Sequence, residues 1–382
     1  MCQYLPYGAF KWIDRKEFKL ENVKKGCHVG HILEVDLEYP WELQKDIINN
    51  QNLKPLGVPK LVQCLSYKQN YIIHERNLKH SVDAGLNITK IHRVMQFKQK
   101  PWLKKYIEFN TEMRKKAKNE FEKDFFKLMN NAVYGKTMQN VRNIENIKLV
   151  TDEKMFDKCM SKPDCKNRKI FNENLVAINY VKEEIKLNKP IYAGFSILEL
   201  SKTLMYDFHY GYMKKKYGDK AKLLFTDTDS LCYEVETKDI YKDMYDNKDK
   251  YDLSDKVGIY HDDTNKKVVG IMKDEYPNET ITEFIGLRSK MYSLKFDDKK
   301  EVKKAKGIKK IVIKKSLNHA HYSNVLTSAG KMFSKMKVIR SNKHRIYTME
   351  QNKISLSAYD DKRWIHDDGI TSYAHGHYRT EE

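Results

Sequence analysis

The chain has 382 residues, with 72 Lys+Arg against 52 Asp+Glu and a formal net charge of +20. That length provides for two or three compact subdomains, and that charge favours a polyanionic partner, nucleic acid before an anionic membrane surface. No apolar run reaches the roughly 18–20 residues of a membrane span. "MCQYLPYGAFKW" also lacks a charged segment followed by an apolar core, which excludes a secretory signal, so a soluble protein with no membrane partner is expected.

In chain order, residues 1 to about 100 are mixed, with strand patterns at "GHILEVDLEY" and "NYIIHERNL". Pro101 precedes a long helical pattern through "FNTEMRKKAKNEFEKDFFKLMNNAVYGK". Its period places Phe121, Phe125, Leu128, Met129 and Ala132 on one side, predicted to pack into the core. Lys127, Asn131 and Tyr134, spaced i, i+4, i+7, form a second stripe. A cation, an amide and a ring on one stripe can meet the phosphate, sugar and base of a nucleotide, or form an ordinary surface. Gly135 would let a ligand approach the backbone closely.

Further on, the pattern predicts a helix of about 20 residues from Ser196, stopped at Gly218. "LLFTDTDSLCYEVE" then reads as two strands around a turn of Asp227, Thr228, Asp229 and Ser230. Asp and Ser favour turns for local reasons, so an ordinary turn explains it as well as a functional one. An EF-hand loop is excluded, because Leu231 and Cys232 stand where it needs an oxygen ligand and a glycine. Past about 295 the chain is strongly basic. In "KKEVKKAKGIKKIVIKK", Ile308, Ile311, Val312 and Ile313 interrupt the lysines, which suggests a basic strand along a polyanion. Cys2, Cys27, Cys64, Cys159, Cys165 and Cys232 show no zinc spacing, so thiols in a reducing compartment are expected. The His-x-His pairs of "HAHYSN" and "YAHGHYRT" read as surface residues or nucleic-acid contacts.

Two stretches taken together carry a family likeness. "FFKLMNNAVYGK" resembles motif B of family B DNA polymerases, and "FTDTDS" resembles their motif C. "RSKMYS" supplies a Lys-x-Tyr, Lys290 and Tyr292, similar to the family's primer-strand contact. The wider chain looks most similar to the protein-primed branch, especially polymerases of Polinton (Maverick) transposons and related viruses, through "LPYGAFKW", "EVDLEYP", "NKPIYAGF" and "DDKRW". Reverse transcriptases usually carry adjacent aspartates, whereas Thr228 separates these.

The resemblance implies an α+β right-hand polymerase fold. A palm remnant and first insertion would occupy 1–100, fingers 101–145, a second insertion 146–190, palm 191–295 and thumb 296–382. It implies nucleotidyl transfer from a dNTP to a primer 3′-hydroxyl with two Mg²⁺ ions, which suit a tip carrying Asp227 and Asp229. Asp229 would be a direct ligand, and Asp227 a ligand or electrostatic partner. Lys127 would contact the triphosphate, while Asn131 and Tyr134 shape the base and sugar pocket. Lys290 and Tyr292, with Lys306, Lys309 and Lys310, would hold primer-template DNA. A terminal priming protein is a further expected partner, and a nucleus or viral factory the expected location.

The family's motif A aspartate and exonuclease domain are expected upstream of "LPYGAF", so the chain reads as a C-terminal polymerase portion. Glu34 and Asp36 in "LEVDLEYP" mimic motif A by coincidence, since that phrase resembles one downstream of it. A catalytically weak, basic DNA-binding remnant of a mobile element is the alternative. An in-frame Asp-x-x-x-Leu-Tyr phrase upstream of Met1 would favour the polymerase.

Overall fold

The computed structural model describes residues 1–40, 62–297, 300–342 and 345–380. Residues 41–61 of the expected first insertion, and Lys299 of the lysine-rich run, lie outside the described residues. In chain order, β1 (Leu5–Ile13), β2 (Val29–Glu38), β3 (Lys68–His74), α1 (Glu75–Asp83) and β4 (Asn87–Lys100) come first. Next follow α2 (Lys104–Lys116), α3 (Glu120–Thr137), β5 (Asn146–Val150), α4 (Glu153–Met160), β6 (Cys165–Asn172), β7 (Leu175–Tyr180) and α5 (Ile191–Tyr206). A π-helical stretch, Asp207–Lys214, prolongs α5 into α6 (Lys215–Tyr217), followed by β8 (Ala221–Thr226), β9 (Leu231–Val235) and α7 (Ile240–Asp246). The remainder holds β10 (Tyr251–Asp252), β11 (Met272–Lys273), β12 (Ile281–Arg288), β13 (Met291–Phe296), β14 (Glu301–Ala305), α8 (Lys310–Ser316) and α9 (His319–Thr327). The long strands β15 (Lys331–Asn342) and β16 (Arg345–Ser357) form a two-stranded sheet near the end.

Two compact units result, one of 1–32, 94–199 and 337–351, the other of 33–93, 200–336 and 352–382. In the first, β1 pairs antiparallel with the second half of β4, from Leu5↔Lys100 to Ile13↔Val94. Gln99 ties this pair to the start of β2, its side-chain amide donating to the carbonyls of Cys27 and Val29. Leu5, Ile32, Val94 and Phe97 are buried there. A separate β5-β7-β6 sheet is covered on one face by α4, with Val150, Cys159, Ile178 and Tyr180 between them. The start of α5 packs on the end of α3, so closely that a Cβ at Gly194 would lie 2.5 Å from Met138 and Thr137 atoms.

In the second unit, the π-helical stretch buries Tyr212 and Met213 against Ala221, Tyr251 and Leu253. The helix runs on to Tyr217 and stops at Gly218, whose φ of +57° suits glycine. β12, β13 and β14 form a three-stranded sheet, across which Tyr322 of α9 donates to the carbonyl of Lys304. No described helix is long and apolar enough to cross a membrane, and all six cysteines are free thiols.

Several expectations need correcting. The helical pattern after Pro101 is two helices, broken at 117–119, where Asn119 N-caps α3 by accepting from the Glu122 N–H at 2.8 Å. The apolar stripe of α3 is not core: Phe121 is 79% exposed, Phe125 45% and Leu128 62%. Ala132 is exposed too, and of that stripe only Met129, at its edge, is partly buried, together with Phe126 and Val133 on the adjoining side; Tyr106 of α2 donates to the carbonyl of Met129. Periodicity detects an apolar stripe but not which face a partner covers. The helix expected from Ser196 begins at Ile191, just after Pro190, a residue suited to a helix start. "NYIIHERNL" is half strand, because the His74 ring accepts from the Arg76 N–H and starts α1. The basic "KKEVKKAKGIKKIVIKK" strand ends at Ala305. Gly307, at φ +90°, turns the chain into α8. His319 is buried beside Ser293 rather than on the surface.

Candidate active site

β8 and β9 pair antiparallel with Thr226 opposite Leu231 and Phe225 opposite Cys232. Asp227 and Ser230 close the turn: the Asp227 N–H donates to the Ser230 carbonyl at 3.0 Å, and the Ser230 N–H to the Asp227 carbonyl at 3.3 Å. That leaves Thr228 and Asp229 as the two central residues. Two-residue hairpin turns whose twist matches the strands require a positive φ, and Thr228 supplies +61°. For a β-branched residue this is strained by about 1–3 kcal/mol, a cost typical of functional sites. Asp229 is exposed at the tip, and Asp227, two residues before it, is half-buried.

The Lys-x-Tyr stretch comes to this tip. Lys290, itself at φ +60°, turns the chain between β12 and β13 and places its Nζ 3.1 Å from Oδ1 of Asp227. Its carbonyl accepts from the Lys306 N–H at 3.1 Å, fixing the turn to the end of β14. The Tyr292 ring stacks on Phe225, centroids 4.4 Å apart and planes at 25°, while Phe284 flanks Phe225 at 5.8 Å. Burial, with nearby Tyr276, Glu275 and Asp227, pushes the Tyr292 phenol up to about 12, so it stays protonated as a donor. Phe225 and Phe284 are thus part of the site, and neither was singled out from sequence. The signal for Phe225 was its place at the head of the "FTDTDS" stretch. Phe284 had none, since its role arises from cross-strand packing.

Lys306 and Lys309 are exposed at the turn before α8, and Lys310 is exposed in its first turn. Lys353 donates to the Gly307 carbonyl at 3.1 Å and adds a cation to this edge. The stripe of Lys127, Asn131 and Tyr134 lies on α3, in the other unit. Lys127 and Asn131 are exposed and Tyr134 half-buried. A Cβ at Gly135 would meet no described protein atom within 4 Å, which leaves its backbone open to a ligand.

Glu34 and Asp36 are engaged within β2's own surroundings. Arg93 Nε lies 2.6 Å from Glu34 Oε2. Asp36 accepts from the Asn70 N–H at 2.8 Å and lies 2.8 Å from His92 Nε2. The Asn70 hydrogen bond chiefly, with His92, holds the Asp36 carboxyl below the usual carboxylate range, despite its burial. Among the described residues no group of three or more His, Cys, Asp or Glu has metal-cluster geometry. The tip offers two carboxylates, hard oxygen ligands of the kind magnesium takes together with water and phosphate.

The hairpin with its paired aspartates, and the Lys290–Tyr292 turn beside it, are features of a candidate nucleotidyl-transfer site. Residues 1–215 match the family model for DNA polymerase type B, organellar and viral, and the chain belongs to that family. The fold is similar to phi29 DNA polymerase complexed with primer-template DNA, at 16% identity and a TM-score of 0.53, covering 92% of this chain and 54% of that one. The phi29 ternary complex with primer-template DNA and incoming nucleotide substrates gives 16% identity and 0.54, over 93% and 55%. The chain spans about half the length of these structures. No curated protein matches the sequence.

Proposed function

We propose that this chain is the nucleotidyl-transfer portion of a DNA-directed DNA polymerase of the protein-primed branch, with a mobile-element or viral origin. The observation that carries the reading is the meeting of the Asp227–Asp229 hairpin with Lys290 and Tyr292. In this reading residues 1–100 hold a palm remnant and a first insertion, 101–145 are fingers, 146–190 a second insertion, 191–295 palm and 296–382 thumb. Asp229, and Asp227 once released from Lys290, would hold magnesium. Two such ions stabilise the attacking and leaving oxygens of an in-line displacement.

The chain's own residues bind and orient. The ion pair of Lys290 with Asp227 is half exposed, worth under about 1 kcal/mol, so an arriving phosphate can take the ammonium cheaply. The Tyr292 phenol, protonated and braced by Phe225, offers a donor to the primer strand. Lys306, Lys309 and Lys310 face the duplex as phosphate contacts, which position DNA without reading its sequence. Lys127 takes the triphosphate of the incoming nucleotide, and Asn131 and Tyr134 face its sugar and base.

Primer extension by the purified chain, alone and with any in-frame upstream sequence restored, tests this. Mg²⁺-dependent extension that Asp229→Asn abolishes is the expected result, and extension that survives the substitution overturns the assignment. Salt-sensitive DNA binding without extension in either form would support the alternative, a basic DNA-binding remnant.

A further inference from the structure

Phe121 and Phe125, on the exposed stripe of α3, are not among the Lys127, Asn131 and Tyr134 positions assigned to the nucleotide. Phe121 and Phe125 lie one turn apart with rings stacked, centroids 6.5 Å apart and planes at 22°. Beside them is an open cleft of about 400 Å³, lined also by Met113, Lys116 and Lys118 at the α2–α3 turn. Such a volume lies at the small end of ligand clefts. Two neighbouring phenyl faces with lysines at their edge match how proteins hold unpaired bases, by stacking under a strand whose phosphates meet cations. Protein-docking patches, in contrast, are depleted in lysine at their centre.

We propose that this face is a binding platform for single-stranded nucleic acid, taking an unpaired base against Phe121 and Phe125 and its phosphates against Lys116 and Lys118. Glu122 also lines the cleft, but its carboxylate is turned to the helix start. There it accepts from the Lys118 N–H at 2.9 Å and the Asn119 side chain at 3.2 Å. Lys116 and Lys118 are exposed, while the acid is occupied in capping. The platform lies on α2 and α3, in a different compact unit from Asp227 and Asp229, and stands whether or not the chain extends primers.

Fluorescence anisotropy of the full chain with a labelled oligo-dT and with a blunt duplex of equal length tests this. The Phe121→Ala/Phe125→Ala pair should weaken oligo-dT binding about tenfold or more, since each stacked base contributes on that scale. Duplex binding should stay within about twofold, because stacking needs an unpaired face. A Phe→Tyr pair should restore binding, and a Phe→Leu pair should not. Unchanged oligo-dT affinity in the alanine pair, or full binding by the leucine pair, would overturn the platform and mark an apolar protein-docking face instead. If the alanine pair unfolds, Lys116→Glu/Lys118→Glu gives the second reading, and unaltered oligo-dT binding there would equally overturn it. Oligo-dT binding is read without Mg²⁺ or nucleotide, and primer extension separately, which separates failure of the platform from failure of the polymerase reading.

Discussion

Asp227 and Asp229 differ by two positions and by everything around them. Asp229 sits exposed in a strained turn, while Asp227 has an ammonium at 3.1 Å. In the proposed role Asp229 is a hard ligand, so Asp229→Asn should lower extension by at least about a hundredfold, as misplacing reacting groups by about 1 Å already does. Lys127→Ala should raise the nucleotide KM or lower kcat while leaving duplex affinity unchanged, and unchanged kinetics would reject its phosphate role. Asp36 gives a pH prediction of a different kind. Its folded carboxyl titrates below the ordinary value, so its contribution to stability is present above about pH 4 and is lost as pH falls through the lowered value. Acid denaturation followed by circular dichroism should therefore be steeper below pH 4 in the parent chain than in Asp36→Asn.

At the scale of elements, the hairpin is held by a turn that only a positive φ closes, and Thr228 adopts it without being glycine. Thr228→Gly should relieve the strain and raise thermal stability or leave it unchanged, offset by glycine's greater freedom when unfolded. Because the same turn sets the separation of the two carboxylates, extension should fall in that variant even where the melting temperature does not. A parallel rise in both would show that the strain serves no purpose in the site. The Phe225–Tyr292 stack joins this hairpin to β13. Tyr292→Phe should keep the stack and lose only the donor, whereas Tyr292→Ala should also destabilise the second unit.

For the whole molecule, a charge of +20 makes salt the natural probe. Each phosphate neutralised by a lysine contributes about −0.9 to the slope of log affinity against log salt. Replacing Lys306, Lys309 and Lys310 with alanine should flatten the duplex-binding slope by up to about 3 units, and salt-insensitive binding would exclude a phosphate-dominated interface. The oligo-dT binding assigned to α3 should be less affected, since those lysines lie in the other unit.

Family, hairpin and helix stop were legible from sequence because each depends on neighbours along the chain. The alternation of Leu231, Tyr233 and Val235 marks a strand, Asp227 to Ser230 a turn, and Gly218 a helix end, whatever surrounds them. The i, i+4, i+7 spacing of Lys127, Asn131 and Tyr134 likewise requires only helical geometry. What only the tertiary structure decided were contacts between distant segments. The ammonium of Lys290 on Asp227, the rings of Phe225, Phe284 and Tyr292, and the burial of His319 beside Ser293 all depend on how β12 and β13 meet their neighbours. The same physics left Phe121 and Phe125 outside the core. A hydrophobic period says that a stripe exists, but burial requires a partner surface, and α2 lies against another side of the helix.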